Sequence, residues 1–143
     1  SIKQGKALEK LKEIVARQGG NHEVLEDYSL LPTPRYELEV VAEKDGFVKS
    51  IDAVRLGVTA MKLGAGRQTK DDIIDPAVGI WIYKKVGEPT EKGLPFAKVL
   101  ANDREKLQWA VQEVTQAFEF TQSKTKRRKV IRAVITKEKV DEF

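Results

Sequence analysis

The stretch Ala60-Met61-Lys62-Leu63-Gly64-Ala65-Gly66-Arg67-Gln68-Thr69-Lys70, continuing through Asp71-Asp72-Ile73-Ile74-Asp75-Pro76 into Ala77-Val78-Gly79, reads as the end of a helix, a loop and the start of a strand. Asp52 is a favourable N-cap, since a short carboxylate can accept from the free amides of a first helical turn. Behind it Val54, Val58 and Met61 recur at helical spacing while Arg55, Thr59 and Lys62 fall on the other side, which predicts a helix buried through the valines and the methionine. Gly64 stands where a left-handed residue would stop that helix. The second glycine, Gly66, exceeds what a helix stop requires and leaves the amides around Ala65 and Arg67 free to bend into a concavity for an anion or a neighbouring chain. The plain alternative is a flexible connector. Neither a P-loop nor a dinucleotide fingerprint fits, because both follow a strand and open a helix, whereas Gly64-Ala65-Gly66-Arg67 follows a helix.

Outward from this loop, composition narrows the classes of function. A chain of 143 residues with 41% hydrophobic and 34% charged content has room for a domain with a real core. No apolar run approaches the length of a membrane span, and Ser1-Ile2-Lys3-Gln4-Gly5 lacks the core of a signal peptide, so no membrane partner and a cytoplasmic location are expected. Zero cysteines exclude disulfides, thiolate catalysis and cysteine-bound zinc, and the single histidine, His22, reads as a surface residue. Asp71, Asp72 and Asp75 lie in a lysine-containing loop and read as solvating groups, so no metal is expected. The net charge of +4 is local: Lys124, Lys126, Arg127, Arg128 and Lys129 supply five of the 26 basic residues, leaving 21 against 22 acidic ones elsewhere. With no interleaved aromatic for base stacking, that run reads as a solvated loop, and no nucleic-acid partner is expected.

Ala7, Leu8, Leu11, Ile14 and Val15 form an apolar stripe on a helix predicted over Lys6 to Gln18, which Gly19-Gly20 ends. Asn21 caps a short turn through Glu26, and Tyr28 to Pro34 reads as an extended connector, because each proline pushes its predecessor out of the helical region. Tyr36, Leu38, Val40 and Ala42 alternate with Glu37 and Glu39 as a strand with one buried face. Asp45-Gly46 turns the chain into a second strand, Phe47 to Ile51. Val78 to Lys84, apolar on both faces, reads as an interior strand, and Leu94 to Leu100 as one that begins at Pro95 or runs along an edge. Asn102 and Glu105 make a capping-box variant before a helix striped by Leu107, Ala110, Val111, Val114 and Phe118, with Trp109 nearly opposite. Val130 to Ile135 closes the sheet, and Thr136 to Phe143 is expected to fray. The sum is an α+β fold, a mainly antiparallel sheet of about five strands with packed helices.

Leu63-Gly64-Ala65-Gly66-Arg67, the acidic Ile74-Asp75 and Ala77-Val78-Gly79-Ile80 closely resemble the C-terminal domain of the pyrimidine-nucleoside and thymidine phosphorylases. Gly5-Lys6-Ala7-Leu8-Glu9-Lys10, Gln18-Gly19-Gly20, Leu30-Leu31-Pro32, Asp45-Gly46-Phe47-Val48, Lys84-Lys85-Val86-Gly87 and Lys92-Gly93 follow in the family's order, so the resemblance covers nearly the whole chain. It implies that residues 1–31 end a preceding central domain and that residues 32–143 form a hammerhead-like C-terminal domain related to barrel-sandwich hybrids. It further implies an enzyme that splits a pyrimidine nucleoside with phosphate, as co-substrate, into base and ribose or deoxyribose 1-phosphate, with no cofactor. The family's Lys-His-Ser-Thr-Gly-Gly phosphate loop does not occur in this sequence, so no catalytic residue carries over. The chain is expected to be inactive alone, with the N-terminal and central domains of the same enzyme and a second copy, in a homodimer, as partners. Gly64, Ala65, Gly66 and Arg67 match the segment that faces the substrate cleft in the family. Arg67 would donate hydrogen bonds there and carry no proton, its charge being permanent.

Two alternatives stand beside this reading. Nucleoside monophosphate phosphorylases of the archaeal type share the domain. A non-catalytic carrier or interaction domain is the other, since Ala60-Met61-Lys62 is similar to the biotin attachment sequence of carrier proteins. There, however, the modified lysine sits on a hairpin after a Val-Gly segment, whereas Lys62 precedes Val86-Gly87 and lies on a predicted helix.

Overall fold

The computed structural model describes residues 2–125 and 131–142. The basic run from Lys126 to Lys129 and the strand start expected at Val130 lie outside the described residues. The chain divides into two compact units, Ser1–Pro34 and Arg35–Phe143.

In the first unit, α1 spans Lys6–Arg17 and closes where the Gly19 and Gly20 amides donate to the carbonyls of Ala16 and Val15. Asn21 caps a 3-10 turn over His22–Leu25 by accepting from the Glu23 amide. The connector is less extended than its prolines suggest. Asp27 accepts from both the amide and the hydroxyl of Ser29, and this cap curls Tyr28–Leu30 into a second 3-10 turn. Leu8, Leu11 and Ile14 on the stripe of α1 are each 44% exposed.

The second unit has the expected α+β character, with strands that are antiparallel throughout. Its elements are β1 (Tyr36–Val41), β2 (Gly46–Ile51), α2 (Ala53–Ala60), β3 (Gly79–Ile82), β4 (Pro89–Thr90), β5 (Pro95–Ala101), α3 (Arg104–Ala117), β6 (Phe118–Thr121), β7 (Ala133–Ile135) and β8 (Val140–Glu142). In place of one sheet of about five strands, the described residues form three small sheets, ordered β1-β5-β3, β4-β2-β6 and β7-β8. Asp45-Gly46 does turn the chain, yet β1 and β2 do not pair. The far end of β1 is held by Ala42, whose amide donates to Leu94 and whose carbonyl accepts from Gly93, while β2 is taken by β6 on one side and β4 on the other. Phe96 of β5 joins the two larger sheets, its ring centroid 4.7 Å from that of Phe118 and 5.1 Å from that of Phe120.

β3, read as interior from its apolar faces, is an edge strand on which Trp81 is 60% exposed. The central place belongs to β5, where Ala97 and Val99 are fully buried and Pro95, as the first residue, removes no ladder bond from the strand's middle. The buried face of α2 is also reversed. Val54 is 77% exposed, and Leu56, Thr59 and Leu63 point into the core instead. Thr59 tolerates burial because its hydroxyl donates to the Arg55 carbonyl at 2.8 Å and so enters the interior already paired. On α3 the stripe holds for Leu107, Ala110 and Val114, joined by Ala117, while Phe118 is buried as the opening residue of β6. The N-cap of α3 is Asp103, not Asn102: its carboxylate accepts from the Lys106 amide at 2.8 Å. Residues expected to fray after Thr136 return as β8 against β7.

Candidate functional site

The glycine loop leaves α2 through a widened turn over Met61–Ala65, inside which Gly64 departs from helical conformation at φ 121°. That conformation is costly for any side chain and reverses the backbone, so that the Gly64 carbonyl meets the Asp75 amide at 2.9 Å. The segment between them is thus an Ω-shaped loop with a closed neck. Asp75 is the main fastening. One carboxylate oxygen accepts from the Ala77 amide at 3.0 Å, and the other accepts from the Asn102 side-chain amide at 2.7 Å. Asn102 in turn accepts from the Arg35 amide at 2.7 Å. The loop also holds itself from within: Asp72 accepts from the amides of Gln68 and Thr69 at 2.8 and 3.0 Å and from the Thr69 hydroxyl at 2.6 Å. The Thr69 hydroxyl first, and then the two amides, hold the Asp72 carboxyl below the usual carboxylate range.

Against this frame the four residues singled out from the sequence take different places. Gly64 forms the neck and Ala65 packs against the core cluster. Gly66 is extended, at φ −151°, and its need is for space, since a Cβ there would lie 3.3 Å from the Cβ of Met61. Arg67 is exposed and makes no hydrogen bond or ion pair among the described residues, so its five donors face outward from the limb next to the neck. Asp72 and Asp75 are occupied with backbone and side-chain donors as above, Asp71 is exposed, and among the described residues no cluster of acids and histidine is placed to hold a metal ion. Lys62, the lysine compared with that of carrier proteins, sits on the widened turn with its ammonium 5.5 Å from the centroid of Trp109, and that tryptophan, expected opposite the buried stripe, is itself partly buried against the core.

Sequence reasoning missed Asn102. The signal was present: Asn102 and Asp103 are adjacent capping-type residues before one helix, and a helix uses only one N-cap.

With this geometry established, known proteins supply the comparison. The family model described as Pyrimidine nucleoside phosphorylase C-terminal domain matches residues 47–121, slightly more than half of the chain, from β2 to the end of β6. The pyrimidine-nucleoside phosphorylase of Bacillus subtilis (strain 168) is 43% identical over 135 residues, covering 94% of this chain and 31% of the relative. That of Staphylococcus epidermidis (strain ATCC 35984) is 46% identical over 105 residues, 73% of this chain and 24% of the relative. That of Geobacillus stearothermophilus is 43% identical over 102 residues, 71% of this chain and 24% of the relative. The chain therefore spans about a quarter to a third of the length of these relatives. A family match across slightly more than half of the chain, together with relatives more than 40% identical over most of it, places the chain in the pyrimidine nucleoside phosphorylase C-terminal domain family.

Proposed function

We propose that this chain is the C-terminal portion of a pyrimidine-nucleoside phosphorylase, a pentosyltransferase that exchanges the base of a pyrimidine nucleoside for phosphate. The observation that carries this reading is the match of residues 47–121 to the family's C-terminal domain together with relatives that share its name. Those names favour a nucleoside over a nucleoside monophosphate as substrate. Such a reaction develops positive charge on the sugar as the base departs, and it needs a closed cleft from which water is excluded. In this reading the phosphate clamp and the groups that receive the base belong to the N-terminal and central domains of the same enzyme. The present chain supplies a wall of the cleft, the Gly64–Asp75 loop, and no catalytic residue, so that it is inactive alone and works without a cofactor, in a homodimeric, cytoplasmic enzyme. Arg67 is the loop residue suited to this role, because among the described residues its exposed guanidinium has no partner and can donate to whatever closes against it.

The test is phosphorolysis of thymidine and uridine, by the isolated chain and by the same chain joined to the remaining domains. Turnover is expected only from the joined protein. Arg67→Ala there should lower kcat by about ten- to hundredfold, the equivalent of one hydrogen bond to a charged group at roughly 1.5–3 kcal/mol. Turnover by the purified isolated chain, free of host enzyme, would reject the division of labour, and a parental kcat for Arg67→Ala would reject the role of the loop.

A further inference from the structure

We propose that Asn102 and Asp75 act as positioning residues that lock the neck of the glycine loop, so that the loop presents Arg67 preformed; the catalytic half of this proposal rests on the cleft-wall role given to that loop above. Asn102 stands at the junction of β5 and α3 and is released from capping because Asp103 does that work. Its amide then has both ends engaged across the fold. The oxygen accepts from the Arg35 amide, at the lead-in to β1, and the nitrogen donates to Asp75 at the closing limb of the loop. The orientation of the amide is decided by its neighbours, since turning it over would set its NH2 against the Arg35 N–H and its oxygen against a carboxylate. Asp75 passes the constraint on: its carboxylate also takes the Ala77 amide, and its own amide reaches the Gly64 carbonyl on the opening limb. Side chain and backbone thus form one chain of bonds from the lead-in of β1, through the β5–α3 junction, to both limbs of the loop. Asn102 and Asp75 are both half-buried, so these bonds compete less with water than a surface pair would. A loop closed in this way loses little further freedom when it is used, which is how positioning raises turnover without touching the reacting atoms.

The decisive variants exploit the unlike ends of the pair. Asn102→Asp keeps an acceptor for the Arg35 amide and removes the donor to Asp75, placing two carboxylates together. Combined with Asp75→Asn, donor and acceptor trade sides and every bond can form again. Amide exchange followed by NMR in the present chain should show Asp75 and Ala77 exchanging at least about tenfold faster in Asn102→Asp, with Arg35 still protected and Val99 in β5 unchanged as the sign of an intact core. The paired substitution should return exchange to the parental rates. In the joined enzyme, Asn102→Asp is expected to lower kcat about tenfold with little change in KM, the paired variant to restore it, and Asn102→Asp to add nothing further to Arg67→Ala. Parental exchange in Asn102→Asp, or no recovery in the paired variant, overturns the anchoring whatever the kinetics show. If exchange responds as expected but Arg67→Ala alone leaves kcat at the parental value, the cleft-wall role falls instead, and the catalytic half of this proposal falls with it.

Discussion

Two glycine-to-alanine substitutions should change the stability of this chain in opposite directions. Gly46 opens β2 opposite Thr90, and its neighbour Phe47 pairs with Thr121 on β6. A Cβ added at Gly46 would lie 2.7 Å from the Thr121 carbonyl oxygen. Carbon and oxygen rest no closer than about 3.3 Å, so β6 would have to withdraw by roughly 0.6 Å. It has little slack, because β6 follows α3 without a connector and Gln122 donates to the Asp45 carbonyl at 2.7 Å just beyond it. Forcing such an overlap costs about 1–3 kcal/mol. Against it stands the gain of about 0.4–1 kcal/mol that any glycine-to-alanine change draws from a stiffer unfolded chain. The cost wins.

Gly57 lies inside α2 on its exposed side, and a Cβ there would meet nothing within 4 Å. Only the gain remains, worth about 1 kcal/mol in a helix interior. Urea denaturation reads both. With a slope of about 2 kcal/mol per molar, Gly46→Ala should lower the midpoint by roughly 0.5–1 M and Gly57→Ala should raise it by roughly 0.5 M. Midpoints that move together, or a Gly46→Ala chain as stable as its parent, would show that β2 and β6 leave room for a methyl group at Gly46.

Asp72 should show its attachment in a pH titration. Because its folded-state pKa is depressed, its contribution to the loop is complete above the ordinary carboxylate value of about 4 and disappears as pH falls through the lower folded value. The amide shifts of Gln68 and Thr69 should therefore titrate with a midpoint below that of a free aspartate, and Asp72→Asn should abolish the step; a midpoint at or above the ordinary value would refute the attachment. Arg55 and Glu113 join α2 to α3 at 2.9 Å, with side chains 38% and 25% exposed. A double-mutant cycle to alanine is expected to return a coupling of about 0.5–1 kcal/mol, lessened by added salt, and additive single effects would show the pair to be idle.

The helix ends were readable because capping is local: Asp52, Asn21 and Gly19-Gly20 act on residues within one turn of themselves. The loop was readable too, since its glycines announce it, but its neck was not. Asp75 and Asn102 are 27 residues apart, and nothing in the neighbourhood of either names the other. The same limit explains β1 and β2, which a turn at Asp45-Gly46 brings into succession while more distant strands win their edges. The wrong face of α2 has a different origin, one that a closer physical reading could have removed. Val54, Val58 and Met61 compete with Leu56, Thr59 and Leu63 for the inward side, and counting threonine as polar tips the choice to the valines. A threonine inside a helix can return its hydroxyl to the carbonyl four residues earlier, as Thr59 does to Arg55, and then enters a core at little polar cost. Scored so, the second stripe has two leucines against two valines and a methionine, and a leucine removes more apolar surface from water than a valine. The polar label of Thr59, more than any distant contact, is what turned the predicted helix the wrong way round.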